Sequence, residues 1–103
     1  MGRYIIKLSD KRKNFYLEWS TIIDAPTTYG MSLEEFKEYY KEQYGNEGMQ
    51  ELPTRLERVE RTGCSGHDAT LDDLLSCNRA GNKEGRISKK EIIKRYCLER
   101  SVK

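Results

Sequence analysis

Arginine is the residue type in this sequence with the clearest potential for chemistry. Arg55, Arg58 and Arg61 recur every three residues, and a second group around the C-terminal loop comprises Arg79, Arg86 and Arg95. The planar guanidinium pairs bidentately with phosphate and stacks on bases. Candidate stacking surfaces for a base are Tyr16, Trp19, Tyr29, Tyr39 and Tyr44. This combination of cations and aromatic rings suits the recognition of a nucleotide.

The two groups of arginines differ in how well a role in ligand binding explains them. Those in segment 55–61 alternate with Glu57 and Glu60, which is also typical of a solvated helix face with salt bridges. Arg79 follows Asn78 in a glycine-containing loop, and loops commonly carry binding sites. We therefore predict Arg79 and Asn78 as ligand-binding residues, with the Asn78 amide reading the ligand.

Metal binding has little support in the sequence. Segment 82–91 is similar to the later part of a calcium-binding loop. The first ligand position of such a loop would be Ala80, which offers no carboxylate. Three cysteines and one histidine could together bind zinc, but only Cys64 and His67 have the spacing of zinc ligands. The other two cysteines, Cys77 and Cys97, are predicted to be buried on helix faces as small hydrophobes. We predict no metal site.

Motifs for catalysis are missing from the sequence. It has one histidine and lacks a nucleophile elbow, a glycine-rich phosphate loop after a strand, and an HExxH pair. We predict a binding protein without a cofactor, not an enzyme. Two alternatives stay open: an inhibitor or adaptor that docks on a host enzyme, and a small nuclease or cyclic-nucleotide hydrolase.

Composition restricts the class of protein further. The chain has 103 residues and a net charge of +2, which is too small for nonspecific binding to duplex nucleic acid. Leu, Ile, Val and Phe make up about a fifth of it, so we predict a single domain (1–103) with a thin core that gains stability by assembling with identical copies. No membrane-spanning run or secretory signal is evident, and the odd cysteine count favours a reducing, cytosolic setting.

The N-terminal part of the sequence has the alternation typical of β-strands. One alternating run contains Tyr4, Ile6 and Leu8, and a second extends from Phe15 to Ile23. The polar segment 9–14 separates them, which predicts an antiparallel hairpin. Pro26 is expected to end or bulge the second strand.

Helical signals occupy the rest of the chain. Capping signals at Ser32, Thr70 and Ser88 predict three helix starts, and Gly45 is expected to end the first helix. Pro53 lies inside a second helical pattern, so it predicts a kink or a new helix start. The fold class is therefore α+β, with an N-terminal antiparallel hairpin or sheet followed by C-terminal helices.

Three parts of the sequence carry a resemblance to a known family. They are the run from Tyr16 to Gly30, the helix start at Ser32, and the run from Ser76 to Gly81. Together they resemble the phage Thoeris anti-defence sponge proteins. The resemblance implies an N-terminal antiparallel sheet, C-terminal helices and assembly into multimers, dimer-based and up to a hexamer. It also implies residence in the cytoplasm of an infected bacterium.

The resemblance further implies a function. Sponge proteins of this family bind cyclic ADP-ribose isomers made by bacterial immune sensors without cleaving them, and some members also capture cyclic oligonucleotides. On this chain, the implied ligand-binding residues are Asn78, Arg95 and either Arg55 or Arg58. We also expect the pocket to form between subunits, since a small domain has little room to enclose a tightly bound ligand.

Overall fold

The fold, described by a computed structural model over residues 3–66, 70–81, 83 and 85–98, is a small sheet followed by helices. The elements are β1 (Arg3–Asp10), β2 (Lys13–Ser20), β3 (Ala25–Pro26), α1 (Leu33–Thr62), α2 (Leu71–Ser76), α3 (Lys89–Ile93) and a π-helical segment (Lys94–Leu98). The three strands form an antiparallel sheet in the order β1-β2-β3. This arrangement confirms the predicted α+β fold.

The hairpin between β1 and β2 is tighter than the polar segment 9–14 suggests. The strands pair as far as Asp10 and Lys13, which leaves a turn of two residues, Lys11 and Arg12. Their φ angles are 46° and 71°. Positive φ at both central residues is the feature of the type I′ turn, whose twist matches that of the strands it joins.

The second strand ends earlier than its alternation predicts. β2 stops at Ser20, and the chain turns through residues 21–24, where Ile22 is 82% exposed and Ile23 is 51% exposed. The expectation that the strand reaches Ile23 is therefore wrong. The turn brings β3 back along the outside of β2, where Pro26 occupies an edge position that does not require its missing N–H.

The sheet is buried on both faces. On one face, Ile6, Leu17 and Trp19 belong to a core that the C-terminal helices complete with Leu74 and Ile92. On the other face, a second core combines sheet and α1 residues, namely Ile5, Tyr16, Phe36, Tyr40, Leu52 and Val59. The predicted apolar face is confirmed, and α1 covers a second face that the alternation did not indicate.

Backbone segments cover both edges of the sheet. Along β1, the Lys7 N–H donates to the Gly63 carbonyl at 3.0 Å, and the Ser65 N–H donates to the Ile5 carbonyl at 2.9 Å. Beyond β2, the sheet continues through β3 and through the pairing of Tyr16 with Met31. These contacts pair the middle of β1 and part of β2 with backbone from outside the three strands, which reduces the exposed strand edge.

Helix α1 begins as predicted and breaks at one point. Ser32 and Glu35 form a reciprocal capping box at its start. Gly45 has φ 66° and ψ −159°, a conformation essentially restricted to glycine, and the chain then resumes its helix to Thr62. Gly45 therefore ends the first helical stretch, as predicted, and a second helical stretch continues from it within α1. The expected kink or new start at Pro53 is wrong, since the non-helical dihedral angles lie at Gly45.

The two shorter helices also begin at the predicted residues. Thr70 and Asp73 form a second reciprocal capping box at the start of α2. At α3, the Ser88 hydroxyl accepts a hydrogen bond from the Glu91 N–H. Within the residues described, none of the helices combines the length and the apolar character that crossing a membrane requires.

Substituting Gly45 should destabilise the protein through backbone strain alone. Among the described residues, and apart from the adjoining backbone of the helix itself, no atom lies within 4 Å of a Cβ added there, so Gly45→Ala creates no clash with the rest of the fold. The strained dihedral angles should lower the free energy of unfolding by about 1–2 kcal/mol, measured by chemical denaturation. Glu42→Ala, at an exposed position of the same helix, is the control and should change it by less than about 0.5 kcal/mol. Equal effects of the two substitutions would contradict this explanation.

Candidate functional site

Three arginines from two distant parts of the chain line one cavity. Its volume is about 440 Å³, and Arg55 and Arg58 of α1 meet Arg3 of β1 there. The remaining lining residues are Tyr4, Gln50, Glu51, Thr54, Ser65 and Gly66. We call this the arginine pocket. It combines two residues predicted from the sequence, Arg55 and Arg58, with one that was not predicted.

Each guanidinium of the arginine pocket is held in place by the protein. Arg58 Nε donates to the Ser65 carbonyl at 2.6 Å, and Arg55 Nη1 donates to the Tyr40 hydroxyl at 3.1 Å. Arg3 Nη1 donates to Glu18 Oε1 at 3.0 Å. A guanidinium carries five N–H donors, so one anchoring hydrogen bond leaves capacity for a ligand. The arginines are thus partly preorganised to bind an anion.

Glu18 lies behind the arginine pocket as a buried carboxylate. It stands in β2 on the face covered by α1 and is only 2% exposed. Besides Arg3, it accepts hydrogen bonds from the Tyr39 hydroxyl at 2.6 Å, from the Tyr44 hydroxyl, and from the Thr27 hydroxyl at 3.4 Å. A buried charge is tolerated when it is paired and hydrogen-bonded in this way.

The tyrosines that contact Glu18 are kept neutral. Burial of the phenol and its hydrogen bond to Glu18 raise the pKa of Tyr44 to about 12. The same two causes, in the same order, raise the pKa of Tyr39 well above its usual range. Hydrogen bonding and charge attraction from Glu18 also raise the pKa of Arg3. Tyr39 and Tyr44 therefore act as hydrogen-bond donors, and Arg3 stays charged.

The other predicted residues lie apart from the arginine pocket. Arg95, in the π-helical segment, donates to Glu91 Oε2 at 2.8 Å. Arg79 is over half exposed, and its Nε lies 3.8 Å from Asp24 Oδ2. Arg61 forms an exposed pair with Glu57, with 3.8 Å between Arg61 Nη2 and Glu57 Oε1. Arg61 therefore belongs to a solvated helix face with salt bridges, whereas Arg55 and Arg58 line the arginine pocket.

The Asn78 amide is engaged within the protein. Its Nδ2 donates to the Leu75 carbonyl at 2.7 Å and to the Ile87 carbonyl at 2.8 Å. Its Oδ1 accepts from the N–H groups of Ile87 at 3.0 Å and Ala80 at 3.3 Å. An amide has two donors and two acceptor lone pairs, so all its capacity is used. In this structure Asn78 braces the loop, and its amide is fully engaged by backbone groups.

The cysteines differ from one another in their surroundings. Cys64 and Cys97 are buried, but Cys77 is exposed, so the prediction that Cys77 is buried is wrong. Cys77 ends α2 as its C-cap, beyond the face that Leu74 buries. His67, the fourth residue of the zinc hypothesis, lies outside the described residues. Those described contain no group of three or more His, Cys, Asp or Glu side chains that could hold a metal ion.

Sequence reasoning missed Arg3 and Glu18 in the site. No pattern in the sequence marks Arg3, because it stands alone at the start of β1, far in sequence from Arg55. Glu18 gave a usable signal: it lies between Leu17 and Trp19 in a strand, and its partner across the pairing is the buried Ile5. A carboxylate in such a strand needs partners if its face is buried.

Comparisons of the whole chain with protein-family models, with curated proteins and with solved structures yield no match.

Because the tyrosines that contact Glu18 have raised pKa values, we predict that the protein loses stability at alkaline pH. Below pH 10, Tyr44 is neutral in both the folded and the unfolded state, so its contribution is fully present. Between pH 10 and about pH 12, Tyr44 ionises in the unfolded state before it ionises in the folded state. The contribution of Tyr44 to the free energy of unfolding is therefore lost over this range. Denaturation curves over this range should show a smaller decline for Tyr44→Phe than for the wild-type protein. Identical declines would contradict the assignment.

Because the Asn78 side chain braces its loop, we predict that substituting it lowers the stability of the protein. Asn78→Ala leaves buried backbone groups without partners and should lower the free energy of unfolding by about 2–3 kcal/mol. Arg95→Ala, which removes one part-exposed helical ion pair, is the matched comparison and should cost less than about 0.5 kcal/mol. Denaturant unfolding measures both, and a neutral Asn78→Ala variant would refute the bracing role.

Proposed function

We propose that this protein binds and sequesters a phosphate-bearing cyclic nucleotide signal in the arginine pocket without cleaving it. The observation that carries the proposal is the convergence of Arg3, Arg55 and Arg58 on one cavity. Its volume of about 440 Å³ lies within the range of small-molecule sites. Guanidinium groups are the side chains best suited to bidentate binding of phosphate oxygens.

The charge of the pocket lining supports an anionic ligand. Among the described lining residues, three arginines face one carboxylate, Glu51. Glu18 lies behind the lining, and its pairing with Arg3 offsets the charge of that arginine. The remaining excess of one positive charge, together with the further N–H donors of Arg55 and Arg58, favours a ligand that bears phosphate groups. The neutral lining residues, such as Gln50 and Thr54, supply hydrogen bonds to the remainder of the ligand.

The identity of the ligand in this proposal comes from the resemblance to Thoeris anti-defence sponges. We propose cyclic ADP-ribose isomers as the ligands, with cyclic oligonucleotides as the second class, in the cytoplasm of an infected bacterium. A sponge needs nanomolar affinity, about 12 kcal/mol, which requires extensive enclosure. We therefore include assembly of several copies in the proposal, with neighbouring subunits closing over the pocket. Native mass measurement of the purified protein tests that assembly.

A protein inhibitor or adaptor is the second candidate function. It is favoured by the turn after β2, where the adjacent side chains of Ile22 and Ile23 are 82% and 51% exposed. Two adjacent exposed aliphatic side chains form a small apolar patch, and apolar patches on a surface can bind another protein. A ligand-binding experiment separates this candidate from the sponge.

Substitutions in the arginine pocket should weaken ligand binding selectively. Arg55→Gln and Arg58→Gln should each raise the Kd for the bound cyclic ADP-ribose isomer or cyclic trinucleotide by about 10- to 100-fold, because each removes charge-assisted hydrogen bonds. Isothermal titration measures the Kd, and circular dichroism verifies the fold. Arg61→Gln is the matched control from the same helix and should change the Kd by less than about twofold, because Arg61 lies outside the pocket.

The same titration discriminates among the candidate functions. Binding followed by recovery of intact ligand after heat denaturation supports the sponge. Recovery of degraded ligand would indicate a hydrolase, and the absence of binding to every cyclic nucleotide offered would favour the adaptor. Equal affinity in the Arg55, Arg58 and Arg61 variants would remove the arginine pocket from the binding site.

A further inference from the structure

A second cavity adjoins the arginine pocket and shares part of its lining. Its volume is about 470 Å³, and Arg3, Glu51 and Arg55 line both cavities. Its other lining residues are Tyr40, Gln43, Tyr44, Glu47 and Gly48. We call this the tyrosine pocket. The two pockets lie side by side along α1 and share Arg3, Glu51 and Arg55 at their boundary; we call them together the groove.

The two halves of the groove differ in charge. Arg3, Glu51 and Arg55 belong to both pockets, so the difference comes from Arg58, which lines only the arginine pocket, and Glu47, which lines only the tyrosine pocket. The first half therefore suits the anionic part of a ligand, and the second suits a neutral, hydrogen-bonding part. A nucleoside attached to a phosphate has this distribution of charge. Carboxylates commonly accept hydrogen bonds from ribose hydroxyls, which gives Glu47 and Glu51 a role.

Tyr44 presents an exposed aromatic ring that is fixed in orientation. The side chain is 40% exposed, yet its hydroxyl donates to buried Glu18 and its ring centroid lies 4.6 Å from that of Tyr40. Its Cβ lies against the backbone at Gly48, where any added Cβ would collide with it. A ring held at both ends loses little conformational entropy on binding, so it suits stacking against a flat ligand group.

We infer that Tyr44 is the base-stacking residue of this protein and that the ligand binds with its nucleoside in the tyrosine pocket and its phosphates in the arginine pocket. This inference rests on the proposed function. It orients the ligand along α1 and selects ligands that carry a base next to a pyrophosphate. Arg3 and Arg55 contact the phosphates nearest the nucleoside, and Arg58 contacts the far end.

The first test compares two probes on the wild-type protein, ADP and inorganic pyrophosphate. Pyrophosphate carries at least as much negative charge as ADP, so charge alone would favour pyrophosphate. Stacking on Tyr44 should instead make ADP bind at least about tenfold tighter, measured by isothermal titration at fixed salt. Equal or weaker binding of ADP would overturn the inference, and this outcome requires no substituted protein.

The second test uses a matched pair of substitutions at Tyr44. Tyr44→Leu keeps the apolar bulk and removes the ring, so it should weaken ADP binding by about 5- to 100-fold and leave the affinity for pyrophosphate within about twofold. Tyr44→Phe keeps the ring and should bind ADP within about threefold of the wild type. Circular dichroism and thermal unfolding check that both variants fold. ADP binding by folded Tyr44→Leu at wild-type affinity would overturn the inference.

The outcomes separate this inference from the proposed function. If Arg55→Gln weakens the binding of both probes while Tyr44→Leu affects neither, phosphate binding stands and the base-stacking role is wrong. If the wild-type protein binds neither ADP nor pyrophosphate, the arginine pocket itself is wrong and the inference falls with it.

Discussion

The buried carboxylate of Glu18 is the constraint on which the site depends. A charge that is 2% exposed has to be compensated within the protein, and Arg3, Tyr39 and Tyr44 supply that compensation. These partners belong to β1 and to the first half of α1. The requirement to neutralise one strand residue therefore fixes the helix against the sheet and orients both an arginine and an exposed tyrosine.

The remaining arginines are placed by the way in which α1 crosses the sheet. Phe36 and Tyr40 pack before the break at Gly45, and Leu52 and Val59 pack after it. The second half of α1 is also joined to the sheet by Glu60, which accepts hydrogen bonds from Lys7 at 2.6 Å and from Tyr16 at 2.7 Å. Arg55 and Arg58 lie on this second half, beside the start of β1. Their position next to Arg3 follows from this packing and from their own hydrogen bonds to Tyr40 and to the Ser65 carbonyl.

Features that depend on near neighbours in the chain could be predicted from the sequence. The capping boxes at Ser32 and Thr70 were identified because their partners lie three residues away, so the pattern and the contact coincide. The hairpin was identified from its alternating apolar residues. The strand end near Ile23 and the kink expected at Pro53 were wrong because tertiary pairing and packing decide whether a local preference is realised.

The sequence by itself determined the α+β class, the helix starts and the presence of arginines able to bind phosphate. It could not determine which arginines act together, because Arg3 and Arg55 are 52 positions apart and their proximity arises from long-range packing. Likewise, Asn78 has the chemistry of a ligand-reading amide, and only the folded loop shows that four backbone groups occupy it. Tertiary structure decided these assignments because hydrogen-bonding capacity is a property of the residue, whereas its availability depends on what the fold brings near it.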